Sequence, residues 1–158
     1  MQFTTHIRVA FGVVLAATAL VPAGQAATLT RSEQEILVAL NAVRAQHDLR
    51  PLRVDTTLTR AARSYSTTLI RTDVFTHGSL GTRLARAGVR GPLYGENLAW
   101  GRGDRATARG IVRGWMASPG HRANLLRPGW SRIGLGAKVG TFMGYGGATV
   151  VTADFAGS

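Results

Sequence analysis

The hydrophobic period of this chain changes once along its length, and that change limits the folds open to it. Between about residues 30 and 125 apolar residues recur mostly every three or four positions, and after residue 130 they alternate. The first pattern belongs to helices that bury one face, the second to strands that bury one side of a sheet. Thr30-Arg31-Ser32-Glu33 has the form of a capping box and predicts a helix start. Ile36, Leu37, Leu40, Val43 and His47 continue at helical spacing until Arg50-Pro51, where the residue before proline leaves helical conformation. Asp55 is placed to cap a second helix with Leu58, Ala61, Ala62, Tyr65 and Leu69 on its inner face. A short third helix runs through Arg83, Leu84 and Ala87 and stops at Gly88. Asp104 opens a fourth through Ala108, Ile111, Val112 and Trp115, broken at Ser118-Pro119-Gly120, and HRANLL adds one further turn.

The glycine-bounded stretch YGENLAWG reads as an extended segment lying between helices. SRIGLGAK alternates Ile133, Leu135 and Ala137, ATVVTADFA is rich in β-branched residues, and GTFMGYGG between them reads as a hairpin connection. The expected class is therefore α+β: helices first, then a small antiparallel sheet with a helix inserted between its strands. No internal repeat, heptad run or long linker interrupts it.

The first residues follow a different logic. Arg8 precedes an apolar run from Val9 to Val21, then Pro22 and AGQAA, with Gly24 and Ala26 as small residues at the −3 and −1 positions of a cleavage site. We expect a signal peptide over residues 1–26 and one domain over 27–158. The run is short for a membrane span, so no stable transmembrane anchor is expected, and the localisation implied is secreted or cell-wall associated. The roughly 130 residues that remain suffice for one hydrophobic core. With no cysteine in the chain, neither disulfides nor thiolate metal sites can contribute.

Of the 19 Lys and Arg only Arg8 lies in the leader, which leaves 18 basic against 8 acidic side chains, a formal charge of +10. Such a surface favours anionic partners, and for an exported protein these are anionic cell-envelope polymers or lipids. The arginines are scattered, without the aromatic interleaving of a nucleic-acid surface, and no nucleic-acid partner is expected.

Outside the leader the histidines are His47, His77 and His121. His47 falls near a helix C-terminus, where an imidazole can serve the dipole alone. His77 in VFTHGS and His121 in SPGHRAN sit in short loops beside glycine or proline, where a scaffold commonly presents functional groups. They could be structural, or supply half of a tetrahedral metal site, though no local HExxH-type pair supports the latter. Glu96 lies within an apolar run of a basic chain: it either satisfies backbone and arginine donors or acts as an acid or base in a cleft. Ser118 lacks the GxSxG elbow of a nucleophilic serine and, next to Pro119, reads as a helix terminator.

Taken in order, these segments resemble the CAP superfamily (the SCP or PR-1-like domain), in its bacterial, cysteine-free branch. LNAVRAQHDLRPLRVDTTLTRAA resembles the opening helix, turn and second helix, with Asn41 and Arg44 in place. FTHGS is similar to the first histidine motif, YGENLAWG to the GEN motif, VRGWMASPGHRANLL to the second histidine segment, and SRIGLGAK and VVTADFA to the closing strands. The likeness spans about residues 33 to 156. It implies a three-layer α-β-α sandwich with a small central antiparallel sheet and a large surface cleft. The family commonly places two histidines and two acids in that cleft, and some members bind a divalent cation there. His77, Glu96 and His121 match. The second acid falls on Ser118, which would leave Glu96 as the only carboxylate, and Asn124 falls on a polar amide that bridges cleft groups or caps the short turn. The resemblance thus implies catalytic or cleft roles for Glu96, His77 and His121, ligand contacts for Ser118 and Asn124, and zinc or another divalent cation on His77 and His121. The function implied is a secreted envelope protein binding a lipid, glycan or peptide. The alternative is a hydrolase acting on peptidoglycan or protein with Glu96, His77 and His121 as its working groups; whether the chain is an enzyme stays open at this point.

Overall fold

The computed structural model describes residues 28–157, so the expected signal peptide lies outside the described residues. Ten elements follow in order: helix α1 (Arg31–Ala45), strand β1 (Arg53–Val54), helix α2 (Thr56–Thr72), helix α3 (Leu80–Arg86), strand β2 (Leu93–Gly101), a single 3₁₀ turn (Gly103–Ala106), helix α4 (Ala108–Ala117), helix α5 (Pro119–Leu125), and strands β3 (Trp130–Phe142) and β4 (Tyr145–Gly157). Among the described residues no helix is long and apolar enough to cross a membrane.

The helix starts follow their caps. Thr30 and Glu33 form the reciprocal capping box, and the Asp55 carboxylate accepts from the amides of Thr57 and Leu58. Each cap contributes about 1 kcal/mol. The fourth helix departs from expectation: Asp104 lies in the 3₁₀ turn, and Thr107 caps α4 by accepting from Gly110 N–H. Both are capping residue types three positions apart, and the turn between them fixes which one is used. HRANLL makes more than one turn, because Pro119 at the first helical position starts α5 two residues earlier.

The strands form one sheet in the order β1-β3-β4-β2. β3 pairs antiparallel with β4, β4 antiparallel with β2, and the two-residue β1 parallel with β3. The sheet is therefore mixed rather than wholly antiparallel, with the parallel contribution confined to Arg53 and Val54. The glycine-rich segment is mostly strand: Phe142 pairs with Tyr145, leaving Met143-Gly144 as a two-residue turn with φ of 52° and 78°.

Helices α1, α4 and α5 cover one face and α2 with α3 the other, which is the three-layer sandwich. Against the first face pack Ile36, Leu40, Ile111, Trp115, Leu125, Ile133, Leu135, Val151 and Phe155. Against the second pack Tyr65, Leu69, Leu98 and Val150, and beside them Leu58, Leu84 and Ala156. Helix α2 sits almost on the sheet backbone. A Cβ at Gly134 would lie 2.1 Å from the Leu58 carbonyl carbon, and one at Gly136 2.4 Å from that of Ala62. The glycines of SRIGLGAK are what let α2 approach.

Candidate functional site

The site forms where edge strand β2 meets both helical layers. Along β2 the side chains of Glu96, Leu98 and Trp100 share the face that α2 covers, as strand alternation requires. Glu96 pairs in register with Asp154 of β4, so the two carboxyls stand side by side on the same sheet face. Both are buried. From α3, Arg83 donates through Nη2 to Glu96 Oε2, holds Nη1 3.8 Å from Asp154 Oδ2, and stacks its guanidinium 3.5 Å from the centroid of the Tyr65 ring. Tyr65 in turn donates its hydroxyl to the Thr76 carbonyl at 2.7 Å. That bond pins the loop between α2 and α3 one residue before His77.

His77 completes the group: its Nδ1 lies 2.8 Å from Glu96 Oε1, with the Glu96 side chain 1% and the His77 side chain 56% exposed. Because a carboxylate only accepts, Nδ1 carries the hydrogen, and in the neutral ring Nε2 is then the acceptor nitrogen. The imidazole is therefore the outward face of a buried acid.

The electrostatics follow from burial. Asp154 is pushed up to about 8, first by burial and then by the facing charge of Glu96, while Arg83 opposes the rise. Neither Asp154 oxygen meets an N–H donor. Burial also raises Glu96, with Arg83 pulling it back. Two facing carboxyls cannot both ionise cheaply, so the pair holds one proton. The direct bond from Arg83 assigns the charge to Glu96 and the proton to Asp154. His121 is lowered by burial and then by the charge of His77.

His121 arrives from the other layer, in the first turn of α5. Two amides fix that helix to the edge of β2. Asn97 donates to the His121 carbonyl at 3.0 Å, and Asn124 donates to the Glu96 carbonyl at 3.1 Å and to Asn97 Oδ1 at 2.9 Å. Gly95 is what makes room, since a Cβ there would lie 2.7 Å from both Asn124 Oδ1 and the Trp130 ring. Further along the edge, Trp115 Nε1 donates to the Leu98 carbonyl at 2.9 Å. A groove of about 620 Å³ opens beside this edge, walled by Phe75, Leu98, Trp100 and Trp115, with Ser118 and His121 at one end and Arg105 and Arg113 also lining it.

The structure thus brings His77 and Glu96 into contact and sets His121 and Ser118 on the adjoining groove. Asn124 is engaged with the main chain and Asn97, and His47 is exposed beyond α1. Two residues of the site escaped sequence reasoning. Asp154 supplies the second carboxyl from β4, so Glu96 does not stand alone as expected. Its signal was an aspartate on the buried side of a strand, a residue and a setting that seldom combine. Arg83 had no signal among the many arginines.

The donor set decides whether a metal fits. Among the described residues no three His, Cys, Asp or Glu side chains are arranged to hold an ion. Glu96 is occupied by Arg83 and His77, which leaves two imidazoles where a zinc site takes three or four protein ligands. The residues do not form that set, and no chemical step here is routed through a metal.

Comparison with known proteins adds four findings. The model of the CAP family, described as the cysteine-rich secretory protein family, matches residues 37–155. The Bacillus subtilis (strain 168) protein YkwD, described as uncharacterized, is 34% identical over 109 residues, which is 66% of this chain and 41% of that protein. The crystal structure of an extracellular protein containing an SCP domain from Bacillus anthracis str. Ames superposes with a TM-score of 0.70 at 27% identity, covering 83% of this chain and 45% of that one. An outer surface protein of Borrelia burgdorferi shares the fold, with a TM-score of 0.68 at 22% identity over 83% of this chain and 97% of that one. This chain thus spans less than half the length of the first two relatives.

Proposed function

From the premise that the chain belongs to the CAP family, we propose that it is an exported binding module of the cell envelope. Its groove along β2 captures the acyl or other apolar chain of an envelope lipid. The observation that carries this reading is a contrast in access. The Glu96 side chain is 1% exposed and locked between Arg83 and His77, whereas the neighbouring groove of about 620 Å³ is open and walled by aromatic and aliphatic side chains. A concave apolar site with a few polar groups is the common form of a small-molecule pocket. Phe75 and the partly buried Trp100 offer surface to an apolar chain over a floor of buried Leu98 and Trp115, while Ser118, His121, Arg105 and Arg113 supply polar and cationic contacts for an acidic head beside the single acid Asp104. Glu96 then acts through His77 as a positioning residue. Extracellular and surface relatives, the leader-like pattern of the first 26 residues and the net charge of +11 support the envelope setting.

Gly114 gives a clean test. It lines the groove, and a Cβ there would meet nothing within 4 Å, so Gly114→Phe fills the space without a clash at its base. A dansylated undecanoic acid titrated into the protein should gain fluorescence with saturation, and the Gly114→Phe variant should bind roughly tenfold or more weakly, the loss of one well-buried apolar contact surface. Equal affinity in the two proteins would sink the groove reading.

One observation favours a second reading, hydrolysis of peptidoglycan or protein. The Glu96–His77 pair leaves Nε2 able to take a proton from water or a substrate, the arrangement of a base held by an orienting acid. Release of soluble fragments from sacculi or casein, abolished in His77→Asn, would establish it. Intact substrate after prolonged incubation would exclude it.

A further inference from the structure

One corner of the molecule departs from the usual rules of a soluble surface. The loop leaving α2 and the turn between β3 and β4 are tied together, with the Met143 amide donating to the Asp73 carboxylate. Around that tie, four large apolar side chains face solvent: Val74 at 51%, Phe75 at 40%, Met143 at 46% and Tyr145 at 51% exposed. Two of them, Phe75 and Tyr145, end a continuous run of ring contacts through the strand residues Phe142 and Trp100. Phe75 meets Phe142 edge-on at 6.1 Å, Phe142 meets Trp100 at 5.6 Å, and Trp100 stacks on Tyr145 at 5.9 Å. A patch built from two loop tips and rimmed by polar residues marks an interaction surface rather than scattered exposure.

Met143 sharpens the point. Its φ of 52° lies in the left-handed region, which Gly, Asn and Asp adopt readily; among the described residues the other two non-glycines there, Asp48 and Asp73, are both aspartates. A methionine gains nothing in water at an exposed turn position that does not suit its backbone. Contact with an apolar phase would account for it. The rim indicates which phase. Arg102 lies 5.7 Å over the Tyr145 ring, Arg105 joins it in a depression with Trp100, and Arg71 lies in the last turn of α2. Two acids stand nearby, Asp73, which is held by Met143, and Asp104. A second copy of this chain would bring like charges of +11 together, whereas an anionic bilayer meets both the arginines and the overall field.

We propose that this tip docks the protein on an anionic lipid surface, with Val74, Phe75, Met143 and Tyr145 entering the interfacial region and Arg102 and Arg105 meeting the headgroups. Aromatic and apolar side chains at loop tips with flanking arginines suit that boundary. Phe75 and Trp100 also line the groove, so docking would set the groove mouth against the bilayer; the docking itself does not depend on what the groove holds.

Tryptophan provides the reporter. Trp115 and Trp130 are 1% and 2% exposed, and Trp100 is only partly buried and belongs to the tip. Residues 27–158, which contain every described element and its core, would be mixed with phosphatidylglycerol–phosphatidylcholine vesicles and with phosphatidylcholine alone. Co-sedimentation and a blue shift of emission, quenched by brominated lipid, are expected with the anionic vesicles and suppressed by salt. A Met143→Asn, Tyr145→Ser double variant should partition roughly tenfold or more weakly. Asn suits the positive φ, and an unchanged melting temperature would verify the fold. Neither residue lines the groove, so this variant should keep its affinity for the dansylated acid, while Gly114→Phe should keep vesicle binding and lose the acid. Equal partitioning of wild type and double variant, no wild-type binding, or concentration-dependent dimers lost in the double variant would each overturn the proposal.

Discussion

Replacing Asp154 by asparagine should remove most of the pH dependence of stability between pH 5 and 8. Asp154 is buried opposite Glu96 and its carboxyl is pushed up to about 8 from an ordinary value of 3.8. A raised carboxyl is protonated in the folded state where the unfolded chain has already lost its proton. The stabilising contribution is therefore complete below about pH 4 and shrinks as pH rises through the window, ending near pH 8. Within the window the slope approaches about 1.4 kcal/mol per pH unit. In a domain of this size each kcal/mol moves the melting temperature by about 3–5 °C. Thermal unfolding of the wild type should thus show a melting temperature that falls from pH 5 to pH 8. Asparagine has the shape of the neutral acid, keeps a donor toward Glu96 and does not titrate, so the variant's curve should be nearly flat and should cross above the wild type at alkaline pH. A variant that keeps the wild-type slope would refute the assignment of the proton to Asp154. So would one that is less stable by the same amount at every pH.

Other perturbations probe the frame and the donor set. Arg44 is fully buried and donates to the carbonyls of Arg50, Leu125 and Arg127, the last of which also accepts from the Trp130 amide, so Arg44→Met should leave the Arg50 and Leu125 carbonyls without that donor and cost about 3 kcal/mol, read from the denaturant midpoint. Gly136→Ala would put a Cβ 2.4 Å from the Ala62 carbonyl carbon and should lift α2 off the sheet at a cost of about 1–3 kcal/mol, measured the same way; an unchanged midpoint would mean that the helix is free to move. Stoichiometric zinc should leave both the melting temperature and the affinity for the acyl probe unchanged, because two imidazoles do not make a closed site; a rise that disappears in His77→Asn would contradict the donor count.

How much of this was legible beforehand depended on the range of the interactions. Thr30 with Glu33 and Asp55 with Leu58 act within one turn, and their caps were readable. So was the spacing of Leu58, Ala62 and Tyr65, and the alternation of Ile133 and Leu135. Glu96, His77 and His121 stood out by residue type in short motifs, and two of them do meet. Asp154 was not readable as their neighbour because a strand's partner is set by register: Glu96 faces Asp154 only because Leu93 pairs with Gly157 and every later residue keeps step. Arg83 is chosen from many arginines by the position of α3 over Tyr65, which no local pattern encodes. The two-residue β1 is equally silent, since its pairing with Arg132 and Ile133 carries it and its own sequence does not.

The central claim, that the groove beside β2 binds while buried Glu96 holds His77 in place, is tested most directly by nuclear magnetic resonance of nitrogen-15-labelled protein titrated with decanoate. The indole N–H signals of Trp100 and Trp115 and the amide of Gly114 should shift together and saturate at one concentration, with Trp130, on the far side of Asn124, unmoved. A titration in which the Trp100, Trp115 and Gly114 signals stay fixed would contradict the account.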